Sequence, residues 1–247
     1  MVETDARERI MVALDCDRTR ALELGRALSG SASWVKVGMT LFYAEGPAIV
    51  RDLKELGFKV FLDLKFHDIP HQVEGAARAA ARAGADLLTA HGLGSAAMLR
   101  AARAGVEGEG SDGARPRVIA VTILTSMDAA ALASIGVTDP VEIEVGRLAE
   151  LARTSGMDGI VCSPMEARGM RALLGPDALV VCPGVRPAGS AAGDQSRVAT
   201  PAAAIGAGAS HIVVGRPITQ APDPLAALEG IVAELTAADI TAPELRI

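Results

Sequence analysis

The sequence predicts an α/β protein whose eight parallel strands close into a (β/α)8 barrel, the TIM barrel. Short runs rich in Val, Ile and Leu recur along all 247 residues, and a stretch with helical spacing of apolar residues follows each run. Eight such units in about 250 residues is the typical size of this barrel. The rival is an open doubly wound sheet, but Asp15-Cys16-Asp17 follows the first run in place of a glycine-rich dinucleotide motif. We therefore expect one barrel domain spanning residues 1–247.

The strands are predicted from runs that are hydrophobic almost without interruption. Such runs are typical of parallel strands that are covered on both faces, because neither face meets water. In chain order the predicted strands span residues 10–15, 34–38, 60–64, 87–91, 118–124, 159–162, 179–182 and 211–215.

The clearest helices lie between these strands and after the last one. Apolar residues at helical spacing predict helices over residues 18–28, 41–56, 73–83 and 224–235. Gly57 and Gly84 follow two of these segments directly. Since glycine readily adopts the left-handed conformation that ends many helices, we expect both helices to stop there.

Composition excludes several classes of protein. The formal net charge is −6 and no run of Lys or Arg occurs, so no nucleic-acid partner is expected. Three widely spaced cysteines, Cys16, Cys162 and Cys182, indicate buried thiols in a reducing compartment. The N-terminus lacks an apolar signal core, and the longest uncharged stretch, residues 198–215, contains a proline and several glycines. We expect a cytoplasmic protein that does not enter the membrane.

In a (β/α)8 barrel the active site lies at the C-terminal ends of the strands, so polar residues there are candidates. Asp63 and Lys65 are two residues apart on one strand and therefore point to the same face. Asp15 and Lys36 end neighbouring strands and are expected to meet this pair. Four alternating charges are costly to bury together, which favours a functional site. The alternative is an ion-pair network that only closes the end of the barrel.

Lysine is scarce in this chain. Only Lys36, Lys54, Lys59 and Lys65 occur among 24 basic residues. An ammonium is compact and titratable where a guanidinium is not, which is one reason for a lysine to occur where the chain otherwise uses arginine; chance is the other. Lys54 and Lys59 flank Gly57 and are expected to be solvated.

The ends of the last two strands predict an anion site. Arg186 begins a loop rich in Gly, Ala and Ser that carries Gln195, and Gly215 and Arg216 open a helix-like segment after the eighth strand. Backbone N–H groups at a helix start bind phosphate together with arginine, and this barrel class often holds phosphate after strands 7 and 8. The alternative is that both arginines are solvated surface charges.

The remaining polar candidates are weaker. His91 ends a strand and could be a ligand or a base, but an isolated histidine is more often structural. His67 and His71 flank Asp68 and are expected to orient the loop or face solvent, and His211 begins a strand at the wrong end for catalysis. No set of His, Cys and carboxylate residues has metal-ligand spacing, so no metal is expected.

The segment FLDLKFHDIP, residues 61–70, contains Asp-x-Lys-x-x-Asp-Ile-Pro and strongly resembles the signature of the orotidine 5′-monophosphate decarboxylases. Further stretches occur in the order typical of the bacterial enzymes: VALD (12–15), VKVGMTLFYAEGP (35–47), VTILTS (121–126), DGIVCS (158–163), PGVRP (183–187), DQSRVATP (194–201) and VVGRPIT (213–219). The resemblance implies a cofactor-free decarboxylation of orotidine 5′-monophosphate to UMP and CO2 in pyrimidine biosynthesis.

The resemblance also implies a role for each catalytic candidate. Lys65 matches the proton donor to C6 of the pyrimidine, and Asp63 matches the aspartate set against the departing carboxylate. Lys36 matches the lysine between a substrate hydroxyl and the catalytic carboxylates. Asp68 matches an aspartate that reaches into the neighbouring subunit's site, which implies a homodimer.

Binding roles follow from the same resemblance. Asp15 matches the residue that hydrogen-bonds the ribose, and Thr125 matches a pyrimidine contact. The matches to phosphate contacts, and to a binding position near the phosphate loop, are Gln195, Gly215, Arg216 and Arg186. Two alternatives stay open: a Mg²⁺-dependent sugar-phosphate decarboxylase such as a 3-keto-gulonate 6-phosphate decarboxylase, and a barrel that binds a sugar phosphate without catalysis.

Overall fold

The strands of this protein form a closed parallel barrel. The structure, a computed structural model, describes residues 5–110, 114–187 and 199–241. Each strand pairs with the next along the chain and the last pairs with the first, which confirms the predicted barrel. The strands are β1 (Ile10–Ala13), β2 (Trp34–Gly38), β3 (Lys59–Phe66), β4 (Leu87–His91), β5 (Arg117–Val121), β6 (Gly159–Val161), β7 (Leu179–Cys182) and β8 (His211–Val214).

Helices follow the strands and cover the outside of the barrel. Within the described residues they are α1 (Arg18–Leu28), α2 (Met39–Glu45), α3 (Ala48–Glu55), α4 (Pro70–Arg82), α5 (Ser95–Gly105), α6 (Ala129–Ser134), α7 (Val141–Thr154), α8 (Ala167–Leu174), α9 (Pro201–Gly206), α10 (Arg216–Thr219) and α11 (Pro224–Thr241). None of the helices in this part of the chain is long and apolar enough to cross a membrane.

Local chemistry sets where several helices begin. The Asp17 carboxylate accepts a hydrogen bond from the Arg20 backbone N–H at 2.9 Å, which caps α1, and Asp128 caps α6 in the same way. Pro70 is the first residue of α4, where its missing N–H leaves no hydrogen bond unmade.

The prediction of one helix over residues 41–56 is wrong, because α2 and α3 are separate. Gly46 ends α2 with a positive φ of 64°, and its N–H donates to the Phe42 carbonyl at 2.7 Å. Pro47 then precedes the first turn of α3, where a residue without an N–H is tolerated. The predicted stop at Gly57 is confirmed, since Gly57 has a φ of 92° directly after α3 and its cap.

The barrel interior and the space under the helices are both apolar. Side chains that point into the barrel include Met11, Phe61, Leu87, Ile119, Val181 and Val213. Side chains that alternate with these pack under the helices, and they include Val12, Val35, Leu62, Leu88, Val118 and Ile212. Because both faces of the strands are covered, the strands read as continuous hydrophobic runs. We call the C-terminal end of the barrel the mouth and the N-terminal end the lower end.

Candidate active site

A cavity of about 580 Å³ opens at the mouth of the barrel. Its floor is apolar and its wall is polar. The floor is formed by Ala13, Phe61, Val121, Val161 and Val213. Of the residues that the sequence singled out, Asp15, Lys36, Asp63, Lys65, Thr125, Arg186, Gly215 and Arg216 line this cavity. An apolar cavity of this size with a few converging polar groups is the usual form of a small-molecule site.

Four charged side chains of alternating sign meet on one wall. Lys36 Nζ donates to Asp15 Oδ1 at 2.9 Å and lies 3.9 Å from Asp63 Oδ2. Lys65 Nζ donates to both carboxylate oxygens of Asp63 at 2.9 Å. The side chains of Lys36 and Asp63 are only 10% and 14% exposed, so these charges are largely withdrawn from water. Two largely buried charges of this kind remain ionised because each has an opposite charge within reach.

The end of β2 leaves room for this charge set. Gly38 pairs with Asp63 across β2 and β3. A Cβ atom at Gly38 would lie 3.1 Å from Asp15 Oδ1 and 3.2 Å from Lys36 Nζ, closer than most real side-chain contacts. The absence of a side chain at Gly38 therefore lets the Lys36–Asp15 ion pair cross the strand end.

The strand that carries Asp63 and Lys65 is irregular at these residues. The pairing of β3 with β4 shifts register between Leu62 and Phe66. Lys65 lies inside this shift and has a φ of 51°, a left-handed conformation that is strained for a residue with a side chain. Such strain persists only where the surroundings hold it, and it is concentrated at functional sites.

Thr89 of β4 is a functional candidate that the sequence reasoning did not include. Its hydroxyl accepts a hydrogen bond from the Lys65 backbone N–H at 2.8 Å and donates one to Asp63 Oδ1 at 3.0 Å. The sequence contains one indication of this role. Thr89 lies two residues before His91, so it is a polar residue on the inward face of the strand, among apolar neighbours.

The predicted anion-binding residues that the structure describes line the same cavity after the last two strands. Arg186 follows β7, Gly215 and Arg216 follow β8, and all three line the cavity. Thr125 and its neighbour Ser126 line it after β5. Gln195 lies outside the described residues. The cavity thus has carboxylates and ammonium groups at the ends of β1, β2 and β3, and two guanidinium groups after β7 and β8.

Asp68 does not line the cavity of its own chain. It lies in the exposed loop between β3 and α4, where its Oδ1 accepts a hydrogen bond from the Ile69 N–H at 2.6 Å. Its carboxylate thus faces outward beside the mouth.

The histidines near the mouth support the loop after β3. His91 Nδ1 accepts a hydrogen bond from the Leu93 backbone N–H at 3.3 Å, and the ring stacks on His67 with 5.3 Å between centroids. Burial lowers the pKa of His91, and the nearby His67 and Lys65 lower it further, so the ring is neutral at pH 7. Neither ring lines the cavity. His71 is exposed on α4, and His211 lies at the lower end as predicted.

The cysteines are not arranged as nucleophiles. Burial and the neighbouring Asp17 carboxylate raise the pKa of the Cys16 thiol. Cys162 and Cys182 are buried free thiols on neighbouring strand ends, and their mutual hydrogen bond raises the pKa of Cys162. In the parts of the chain that the structure describes, no group of three or more His, Cys, Asp or Glu side chains could hold a metal ion.

The chain as a whole is similar to known proteins. Residues 8–231 match the family model described as "Orotidine 5'-phosphate decarboxylase / HUMPS family". Curated proteins named orotidine 5′-phosphate decarboxylase from Anaeromyxobacter dehalogenans and Moorella thermoacetica are 56% and 52% identical to this chain. The first alignment covers 92% of this chain and 98% of the relative, and the second covers 95% of each.

A solved structure shows the same similarity in three dimensions. The crystal structure of orotidine 5′-phosphate decarboxylase from Lactobacillus acidophilus superposes with a TM-score of 0.80 at 39% sequence identity. The superposition covers 92% of this chain and 98% of that chain. The likeness therefore extends over nearly the whole barrel.

Proposed function

The chain belongs to the orotidine 5′-phosphate decarboxylase / HUMPS family, and from that premise we propose that it decarboxylates orotidine 5′-monophosphate to UMP and CO2. The observation that carries this proposal is the contact of Lys65 with both oxygens of Asp63 inside the cavity. This pair sets an ammonium and a carboxylate side by side facing the space for a substrate. In this function the enzyme acts in pyrimidine biosynthesis.

Lys65 supplies the proton in the proposed reaction. The bond between C6 and the substrate carboxylate breaks, CO2 leaves, and the electron pair stays on C6. The Lys65 ammonium stabilises this developing charge and then transfers one proton to C6, which gives UMP. The resulting amine regains its proton from solvent. No cofactor takes up the electron pair in this scheme, so the protein acts through preorganised charge.

Asp63 and Lys36 keep the ammonium of Lys65 in place. Asp63 holds Lys65 Nζ by two hydrogen bonds, and its negative charge faces the position of the substrate carboxylate. Lys36, 3.9 Å from Asp63 Oδ2, balances the charge of the buried aspartate and reaches Asp15 with the same ammonium. These contacts hold the charges in a fixed arrangement, which is the condition for electrostatic catalysis.

The remaining residues bind the nucleotide. The Asp15 side chain is 65% exposed, so one of its oxygens is accessible to a ribose hydroxyl. Thr125 contacts the pyrimidine, while Arg186, Gly215, Arg216 and Gln195 hold the phosphate. Phosphate binding is remote from C6 and supplies energy that organises the site for the reaction.

The proposed enzyme is a homodimer in which Asp68 completes the partner's site. Asp68 faces outward, and three exposed apolar side chains lie on the neighbouring segments after β2 and β3. Tyr43, Ile69 and Met39 are 73%, 61% and 47% exposed, which favours a second copy covering this face.

The shared site can be tested by mixing two inactive variants. Lys65→Ala and Asp68→Ala homodimers each lack a residue in every site. In a mixed dimer one of the two sites regains both residues, so refolding equal amounts together is expected to restore about a quarter of wild-type activity if exchange is random. A mixture no more active than the two variants assayed separately would contradict the proposal.

The activity itself is tested by following the ultraviolet absorbance of orotidine 5′-monophosphate. We expect wild-type protein to consume this substrate at the same rate with and without EDTA. Turnover of a sugar phosphate that requires Mg²⁺ would instead support the alternative decarboxylase of the same family. Binding of UMP without turnover of either substrate would support a barrel that only binds nucleotides.

A further inference from the structure

Thr89 lies opposite the irregular part of β3. Regular pairing between β3 and β4 includes Leu62 with Leu88 and resumes at Phe66 with Ala90. Thr89 therefore faces three residues of β3, 63–65, that have no regular partner on β4. Its side chain is fully buried, so its hydroxyl has to be hydrogen-bonded within the protein.

The hydrogen bonds of Thr89 have a defined direction. A backbone N–H can only donate, so the hydroxyl oxygen is the acceptor for Lys65 at 2.8 Å. An ionised carboxylate can only accept, so the hydroxyl proton points to Asp63 Oδ1, 3.0 Å away. One hydroxyl thus replaces the missing strand-to-strand hydrogen bond and at the same time orients the Asp63 carboxylate.

We propose that Thr89 is a positioning residue that holds the Asp63–Lys65 pair in its reactive geometry. It fixes the left-handed backbone of Lys65 by accepting the hydrogen bond of its N–H, and it fixes the rotation of Asp63 so that both carboxylate oxygens face Lys65 Nζ. Thr89 does not line the cavity and acts only through these two residues. The inference rests on the proposed decarboxylase function, because it concerns the rate of that reaction.

Thr89→Val tests the hydroxyl at nearly constant side-chain volume. It leaves the Lys65 N–H without its acceptor and Asp63 with one donor fewer. We expect kcat to fall by about 10- to 100-fold, the usual effect of a lost buried hydrogen bond to a charged group. The dissociation constant of UMP is expected to stay within about threefold of the wild-type value, since the residues proposed to bind the nucleotide are unchanged. Thr89→Ser keeps the hydroxyl and is expected to restore kcat to within about threefold of wild type.

Thr122→Val is the matched control. Thr122 is also a fully buried threonine, and its hydroxyl donates to the Val161 carbonyl at 2.9 Å without touching Asp63 or Lys65. The control is expected to lower the melting temperature by a similar amount while kcat stays within about threefold. If Thr89→Val does not fold, Thr89→Cys keeps the volume with a weak hydrogen-bonding group and is expected to give an intermediate kcat.

Three outcomes would overturn the role of Thr89: a kcat of Thr89→Val near the wild-type value, an equal loss in Thr122→Val, or no rescue by Thr89→Ser. If Thr89→Cys is used in place of Thr89→Val, a folded protein with the wild-type kcat would also overturn the proposed role of Thr89. These results differ from failure of the proposed function, in which wild-type protein itself does not consume orotidine 5′-monophosphate.

Discussion

The two ends of the barrel use the same charged residue types in different ways. At the lower end, Asp86 accepts hydrogen bonds from Lys54 Nζ at 2.8 Å and from the backbone N–H of Val60 at 2.7 Å. Asp158 likewise accepts from the Arg115 guanidinium and from the Val118 N–H. At the mouth, the Asp63 carboxylate instead contacts three side chains, those of Lys36, Lys65 and Thr89.

The difference explains why one end is structural and the other is suited to chemistry. A carboxylate that accepts hydrogen bonds from the first residues of a strand fixes the backbone there. The cation beside it only neutralises the charge of the carboxylate. A carboxylate held by side chains keeps an ammonium facing the cavity, where charge can act on a ligand. The lower end is also filled, since His211 packs edge-on against Trp34 and Lys59 lies over the same indole ring.

The largest expected effect comes from replacing a lysine at the mouth. Lys65→Arg keeps the positive charge, but a guanidinium does not release a proton near neutral pH, so kcat is expected to fall by about 10⁴-fold. Lys59→Arg at the lower end is the matched control, because Lys59 is half exposed and pairs with Glu8. Its kcat is expected to equal that of wild type. Steady-state kinetics measure kcat for both variants. A Lys65→Arg enzyme whose kcat is within tenfold of the wild-type value would contradict the assignment of Lys65 as proton donor.

A carboxylate at the lower end is expected to affect stability and not turnover. Asp158→Ala leaves the Arg115 guanidinium and the Val118 N–H without their acceptor. Because Arg115 is partly exposed, we expect a loss of about 2–3 kcal/mol in the free energy of unfolding. Urea titration measures this loss, and kcat of the folded variant should be unchanged. Glu150→Ala removes a surface ion pair with Arg153 and serves as control, with no measurable change in the urea midpoint. An Asp158→Ala protein with wild-type stability and a reduced kcat would show that this lower-end carboxylate serves the reaction and not the stability of the fold.

An effect of similar size, confined to acidic pH, is the pH dependence of stability that His211 contributes. Burial lowers the pKa of His211 to about 4, while an unfolded chain has an ordinary histidine pKa of about 6.5. As pH falls, His211 therefore takes up its proton in the unfolded chain before it does so in the folded protein. Its contribution to the free energy of unfolding is complete above pH 6.5 and is lost between pH 6.5 and 4. The loss at pH 4.5 is about 2–3 kcal/mol.

His211→Phe checks this contribution, since a phenyl ring keeps the contact with Trp34 but cannot bind a proton. The free energy of unfolding is measured by urea titration at pH 7 and pH 4.5. We expect a smaller decrease in the variant than in wild type, whereas the exposed His71→Gln variant should match wild type. Equal decreases in all three proteins would show that His211 does not titrate as described.

Local sequence was sufficient for most elements and insufficient for one helix and for the contacts of one lysine. The alternation of apolar runs and helical segments predicts the strands and their order, since burial on both faces leaves a readable pattern. The break at Gly46-Pro47 was also present in the sequence, but the apolar spacing continues across it and favours one helix. Lys54, expected to be solvated, instead makes two hydrogen bonds to Asp86. That partner lies on a segment 32 residues away, which local spacing does not reveal.

The sequence by itself determined the strand count, the positions of the charged residues at strand ends, and the fact that Asp63 and Lys65 share one strand. Only the tertiary structure decided which charges touch. The left-handed backbone of Lys65, the register shift in β3 and the bridging hydroxyl of Thr89 all depend on how β3 lies against β4. Hydrophobic periodicity is set by neighbours along the chain, whereas these contacts depend on the register of closed strands, which distant residues set together.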